Sequence, residues 1–169
     1  MEDLSHLYRY GRLDYDRDEL NRLGLSQTTI DFLVEFGLPK STKSSKSGKD
    51  EDIVWGLVFQ ENLVLASDQK IVIAKEWENQ QVEIDPSNDQ IVGSSEEGTY
   101  YINKDIQTFF AALADVDSYF ATDDRTRTDS YAKKQGKKIR KSIRQSDPAA
   151  VADDTFWDNI LFEIEENMV

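Results

Sequence analysis

Residues 70–103 read KIVIAKEWENQQVEIDPSNDQIVGSSEEGTYYIN, and they hold four short β-rich runs: Lys70 to Ala74, Val82 to Ile84, Gln90 to Val92 and Thr99 to Ile102. The polar clusters between them are too short for crossover helices, so successive strands must run antiparallel. The clearest reversal is Asp85-Pro86-Ser87-Asn88-Asp89. Its proline presets a turn backbone, and its Asp, Asn and Ser side chains can bond their own main chain. Upstream, the runs Ile53 to Phe59 and Leu63 to Ala66 are separated by Gln60-Glu61-Asn62 and followed by Ser67-Asp68-Gln69. The expectation is a meander of about six strands.

Working outward, helical patterns flank this region on both sides. Between Ser26 and Phe36, Ile30, Leu33 and Val34 fall at i, i+3 and i+4, with Ser26 as the expected N-cap. Gly37 suits a left-handed closing residue, Leu38 can fold back on the helix, and Pro39 prevents continuation. The segment 40–52, KSTKSSKSGKDED, has no large apolar residue and is expected to be a flexible polar loop. After the strands, Asn103 is the expected cap of a helix bearing Ile106, Phe109, Phe110 and Leu113 on one side. A polar stretch from Thr122 to Ser130 follows. Asp147-Pro148 then reads as an N-cap with proline in the first helical position, ahead of a helix carrying Trp157, Ile160, Leu161 and Ile164. Helix, strands, then helices is the order of an α+β domain, and 1–169 is expected to form one.

Composition narrows the function. The chain has 169 residues, 38% hydrophobic and 31% charged, which suits a packed domain rather than disorder. It has no cysteine, so disulfides, thiol nucleophiles and cysteine-ligated metals are excluded and a reducing compartment is expected. Met1 to His6 lacks a basic and apolar leader, and no run is long enough to span a bilayer, so the expected location is cytoplasmic with no membrane association. His6 is the only histidine, which leaves no multi-histidine metal site, and it is expected at the surface. The glycines are scattered singly, with no phosphate loop. The reading is a binding protein rather than an enzyme, with no cofactor and no resident metal.

Charge then points to the partner. The net charge of −13 steers cationic partners in and keeps nucleic acid away. Against that background, Arg125 to Arg144 carries nine basic residues and one acid, Asp129. Ala132, Gly136, Ile139 and Ile143 recur in this segment at roughly helical spacing, so the basic residues are expected on the solvent face of a helix rather than on phosphates. Asp85, Ser87, Asp89 and Glu96 fall at calcium-loop offsets, but Gln90 occupies the position that needs glycine, so an ordinary hairpin turn is preferred. Trp55 and Trp77 are expected beside strands and Trp157 in the core. For the partner-binding face the choice is Glu76, Glu78, Glu83 and Asp85, because strand alternation turns Val82 and Ile84 inward and Glu83 and Asp85 outward.

Four pieces of the chain together resemble the SUKH superfamily of bacterial immunity proteins, and especially its branch with GLP after the first long helix. They are Phe36-Gly37-Leu38-Pro39; the strand-rich middle; Tyr100-Tyr101-Ile102-Asn103 leading to Phe109 and Leu113; and Asp147-Pro148 with Trp157. The resemblance spans roughly Leu20 to Glu165. It implies an α+β fold around a curved antiparallel sheet and a protein that binds and neutralises a cognate polymorphic toxin. It brings no catalytic residue. The acidity adds the expectation of a basic toxin domain, for instance a nuclease. A regulatory or adaptor protein of the same fold is the alternative. The sequence departs from the family pattern in its lysine-rich loop and in the long polar and basic stretch after Phe120.

Overall fold

Short capped helices begin the chain because Asp16 and Ser26 each supply an oxygen to backbone N–H groups that have no intrahelical partner. In the computed structural model, which describes residues 4–40, 42–43, 50–51, 57–66, 68–75, 80–122 and 126–168, Asp16 accepts from Asp18 and Glu19 to start α1 (Arg17–Arg22). Ser26 accepts from the Thr29 N–H at 3.2 Å to start α2 (Gln27–Glu35), which buries Ile30, Phe32 and Leu33. Gly37 ends α2 with φ +65°, and its N–H donates to the Leu33 carbonyl at 2.9 Å. The next residues, Leu38–Pro39 (β2), pair antiparallel with Arg12–Leu13 (β1). That pairing brings the Leu13 carbonyl oxygen so near that a Cβ on Gly37 would lie 2.2 Å from it. Glycine here is required twice, by backbone angle and by contact.

Within the expected polar loop, Thr42–Lys43 (β3) pairs with Asp50–Glu51 (β4); the rest of 41–52 lies outside the described residues. The main sheet is antiparallel throughout, in the order β5 (Val58–Leu65), β6 (Ile71–Lys75), β7 (Gln81–Ile84), β8 (Ile91–Ser95), β9 (Gly98–Asn103). It therefore has five strands where about six were expected. Gln60-Glu61-Asn62 is not a turn. It lies inside β5, where the register with β6 shifts between Phe59 and Val64. An irregular edge strand can leave such polar residues exposed, and alternation rules read them as a break. Residues 52–56, where the first expected strand begins, lie outside the described residues.

Three helices complete the domain: α3 (Ile106–Phe120), α4 (Asp129–Ser146) and α5 (Phe156–Glu165), with a 3₁₀ turn at Pro148–Val151. The N-cap of α3 is Asp105, which accepts from the Thr108 N–H at 2.8 Å, and not Asn103. Thr155 caps α5, while Asp147 closes α4 and caps nothing with its side chain. α4 turns Ala132, Gly136, Ile139 and Ile143 inward. At Gly136 the helices approach so closely that a Cβ would stand 2.4 Å from the Glu165 Cγ. One residue-turn on, Arg140 bonds Glu165 at 2.9 Å and pairs with Asp158, fastening α4 to α5.

The core runs as a chain of rings. Phe110 meets Phe32, Phe59 and Phe109 at 5.2, 5.8 and 5.8 Å between centroids, and Phe109 meets Trp157 at 5.9 Å. Each such contact adds roughly 0.5–1.5 kcal/mol to simple area burial. α3 is thereby sandwiched between α2, the inner face of the sheet and α5, and among the described residues no helix packs on the sheet's other face around Glu83.

Candidate functional site

Strand register places a carboxylate at the centre of that other face. Val82 and Ile84 point into the core, as expected from alternation, so Glu83 between them points away from it. The pairing continues across the whole sheet: Val64 opposite Val72, Val72 opposite Glu83, Glu83 opposite Val92, and Val92 opposite Tyr101. Residues paired in this way share a face. Glu83 is therefore flanked on both sides by valines, and Val72 and Val92 are themselves buried without belonging to the main core.

Glu83 was expected to be exposed and is not: it is 2% accessible. Alternation predicts the face a side chain takes but not how deeply its neighbours cover it. Burial pushes its carboxyl above the ordinary range, with Asp68 adding to the shift; a bond from Ser94 and the charge of Lys70 oppose it. Its Oε2 has no hydrogen-bond partner among the described residues. Asp85 behaves differently. It is half-buried and accepts from the Ser87 N–H (2.9 Å) and hydroxyl (2.6 Å), bonds that hold its carboxyl below the usual range. Asp89 accepts from the Thr29 hydroxyl at 3.2 Å, so these turn acids are engaged by the fold. Among the described residues no three His, Asp or Glu side chains stand close enough to hold a metal ion. Glu76, Trp77, Glu78 and Trp55 lie outside the described residues.

Around Glu83 the outer face forms a groove of about 710 Å³, within the ~300–1,000 Å³ usual for binding clefts. Its lining comes from the strands and their hairpins alone, including Gln60, Val64, Lys75, Gln81, Ser94 and Glu96. Val64 and, at the same end of β5, Leu65 remain 55% and 46% exposed, a pair of large apolar side chains at the sheet edge. A second cleft, of about 600 Å³, opens between the β8–β9 hairpin and the start of α5.

Two of the pieces that carry the superfamily resemblance, the one around Tyr101 and Asn103 and the one with Asp147 and Trp157, meet elsewhere in one hydrogen-bond network. Asp147 accepts from the Tyr101 hydroxyl (2.8 and 2.9 Å), the Asn103 Nδ2 (3.1 Å) and the Lys104 N–H (2.8 Å). The Asn103 Oδ1 accepts from the Trp157 Nε1 at 2.7 Å. Desolvation, reinforced by Asp147, raises the Tyr101 phenol well above its usual range. The network ties β9 to α4 and α5 and so holds the fold together. Sequence reading assigned capping roles to Asn103 and Asp147 because nothing local reveals a partner more than forty residues away.

His6 also sits in an arrangement that sequence reading missed. Its Nε2 lies 3.2 Å from the Ala114 carbonyl, 3.3 Å from the Ser118 Oγ and 3.8 Å from Asp117, while Arg9 grips Asp117 with two bonds of 2.8 and 2.9 Å. A serine, a histidine and an aspartate are thus together, but a proton relay needs the two ring nitrogens to face different partners. Here one nitrogen faces all three, and Asp117 is committed to Arg9. The cluster anchors the N-terminal turn on α3.

No described helix is long and apolar enough to cross a membrane. One protein-family profile, that of the SUKH-4 immunity protein, matches residues 11–163. Neither the curated proteins nor the solved structures provide a match.

Proposed function

The chain belongs to the SUKH-4 immunity protein family, and from that premise we propose that it neutralises a cognate bacterial toxin by binding it across the outer face of the five-stranded sheet. The observation that carries this reading is the groove around Glu83, whose described lining comes from strands and hairpins and which has exposed Val64 at its edge, on the face of the sheet away from the Phe59, Phe110 and Trp157 core. An interface needs an apolar centre with a few placed polar groups and a charged rim. This face offers Val72 and Val92 about Glu83, and Asp68, Lys75 and Glu96 around them.

The partner we propose is a basic toxin domain, a nuclease being the natural kind, because a net charge of −13 favours encounter with a cationic protein. The chain acts in the cytoplasm and acts by occupation rather than by catalysis. Glu76, Glu78 and Asp85 remain part of the proposed acidic surface, with Glu83 buried in the floor of the groove.

Co-expression with the toxin domain encoded by the adjacent gene tests this. Host growth is expected to be rescued, the two proteins to co-purify, and association to slow steeply as salt rises. A toxin that kills in the presence of abundant folded protein, with no complex detectable, overturns the reading.

A further inference from the structure

The Glu83 carboxylate is the one described acidic group that is buried and has an oxygen with no partner. Native chains bury few such atoms, because an unpaired acceptor forfeits its hydration and gains nothing. Burial outweighs the two contacts that favour the charge, the Ser94 bond and the Lys70 ammonium. Valines stand on either side of it in the sheet, the Ser94 hydroxyl bonds it, and the neighbouring ammonium of Lys70 is already paired with Asp68. Folding alone gives no reason for a glutamate where a threonine or valine would complete the row.

We infer that Glu83 is the anchor of the partner interface, receiving an arginine side chain of the toxin against its unpartnered oxygen. This rests on the reading of the outer face as the toxin-binding surface and specifies its chemistry. Arginine suits the site better than lysine. A guanidinium is planar and weakly hydrated and presents several donors in a fixed fork, so it can enter a desolvated slot between Val72 and Val92 and still bond a carboxylate. Its methylene stem would lie along Val64 and Val72, which are adjacent on that face. The side chains at the rim, Lys75, Gln81 and Glu96, are long and can turn outward to admit it. Once a cation is seated, the charge that is unfavourable in the free protein becomes half of a buried pair, so the strain is released on binding.

The test has two arms, both on the full chain. In the first, wild type and Glu83→Gln are titrated with the toxin domain from the adjacent gene. Removing one member of a buried charge pair weakens binding by roughly thirtyfold or more, while the Glu83→Gln melting temperature shows that folding is intact. Binding of Glu83→Gln within threefold of wild type overturns the inference while leaving the immunity reading standing. In the second arm, Nα-acetyl-arginine amide is added to protein ¹³C-labelled at the glutamate carboxyls, with the citrulline analogue as its uncharged match. The Glu83 carboxyl and the Val72 and Val92 methyl signals are expected to move with the arginine compound and not with citrulline. Should wild type fail to bind the toxin at all, the functional reading falls, and this arm alone decides the role of Glu83: equal or absent responses to the two compounds reject it.

Discussion

Replacing Asp147 with alanine removes the acceptor for three donors at once, and the geometry sets the cost. The Asn103 amide is inaccessible to solvent and loses a charged partner without gaining water, while the N–H of exposed Lys104 loses the same partner with water near at hand. The half-buried Tyr101 hydroxyl can turn to solvent and counts for less. An unsatisfied buried donor costs about 1–3 kcal/mol, so the Asn103 amide, plus the Lys104 N–H and the tyrosine in part, gives an expected loss of about 2–4 kcal/mol. Against the ~5–15 kcal/mol of an ordinary domain that is a large fraction. Urea unfolding followed by circular dichroism measures it as a lowered midpoint at constant slope. Asp147→Asn, which keeps the volume and one acceptor oxygen, should lose less. A cycle with Tyr101→Phe should show coupling of at least about 0.5 kcal/mol. A loss below about 1 kcal/mol for Asp147→Ala, or strict additivity with Tyr101→Phe, would refute the idea that these residues act as one clasp.

Glu83→Gln should stabilise the free protein at neutral pH. Because burial raises the carboxyl in the folded state, the folded chain holds that proton more tightly than the unfolded one, and wild type loses stability as pH climbs from the ordinary value near 4.5 through the raised one. The glutamine chain should gain about 1–3 kcal/mol at pH 7 and almost nothing near pH 4; thermal melts across that range check both, and equal curves for the two chains count against the assignment. Gly37→Ala should cost more than the ~1–2 kcal/mol of a left-handed alanine, since the Leu13 carbonyl must also retreat; chemical denaturation showing no loss would contradict the contact. Trp157→Ala, deleting a ring that is 1% accessible and bonded to Asn103, should cost about 3–5 kcal/mol by the same assay, and a loss under 1 kcal/mol would place the ring outside the core.

What could be read in the sequence was what local chemistry determines. The stop at Phe36-Gly37-Leu38-Pro39, the apolar stripe Trp157, Ile160, Leu161 and Ile164, and the four strands β6 to β9 each announce themselves within a dozen residues, through backbone angle or periodicity. Features settled by distant partners were illegible. Asn103 and Asp105 are both good caps on paper, and only the Trp157 indole, arriving from 54 residues away, takes Asn103 out of contention. β5 looked like two strands because its polar middle is tolerated only at a bulged sheet edge. The site divides in the same way. Glu83 could be assigned to the face away from the core, but its burial depends on the register that sets Val72 and Val92 beside it, and register is not written in any one strand.

The basic helix α4 has a consequence at long range. Its outer face carries Lys133, Lys134, Lys137, Lys138, Lys141 and Arg144, all exposed, and it is layered on α3 and α5, while Asp68, Glu83 and Glu96 lie on the sheet side. In a molecule with a strongly negative total, these six cations make one face a local patch of the opposite sign. A cationic body approaching within about a Debye length, ~8 Å at physiological ionic strength, would exert a torque as well as a pull, turning the lysines away and the groove toward itself before any surfaces touch. α4 would then take part in recognition without ever being part of the interface: cancelling its lysines should leave the complex as tight once formed but let a larger share of encounters begin with the wrong face turned inward.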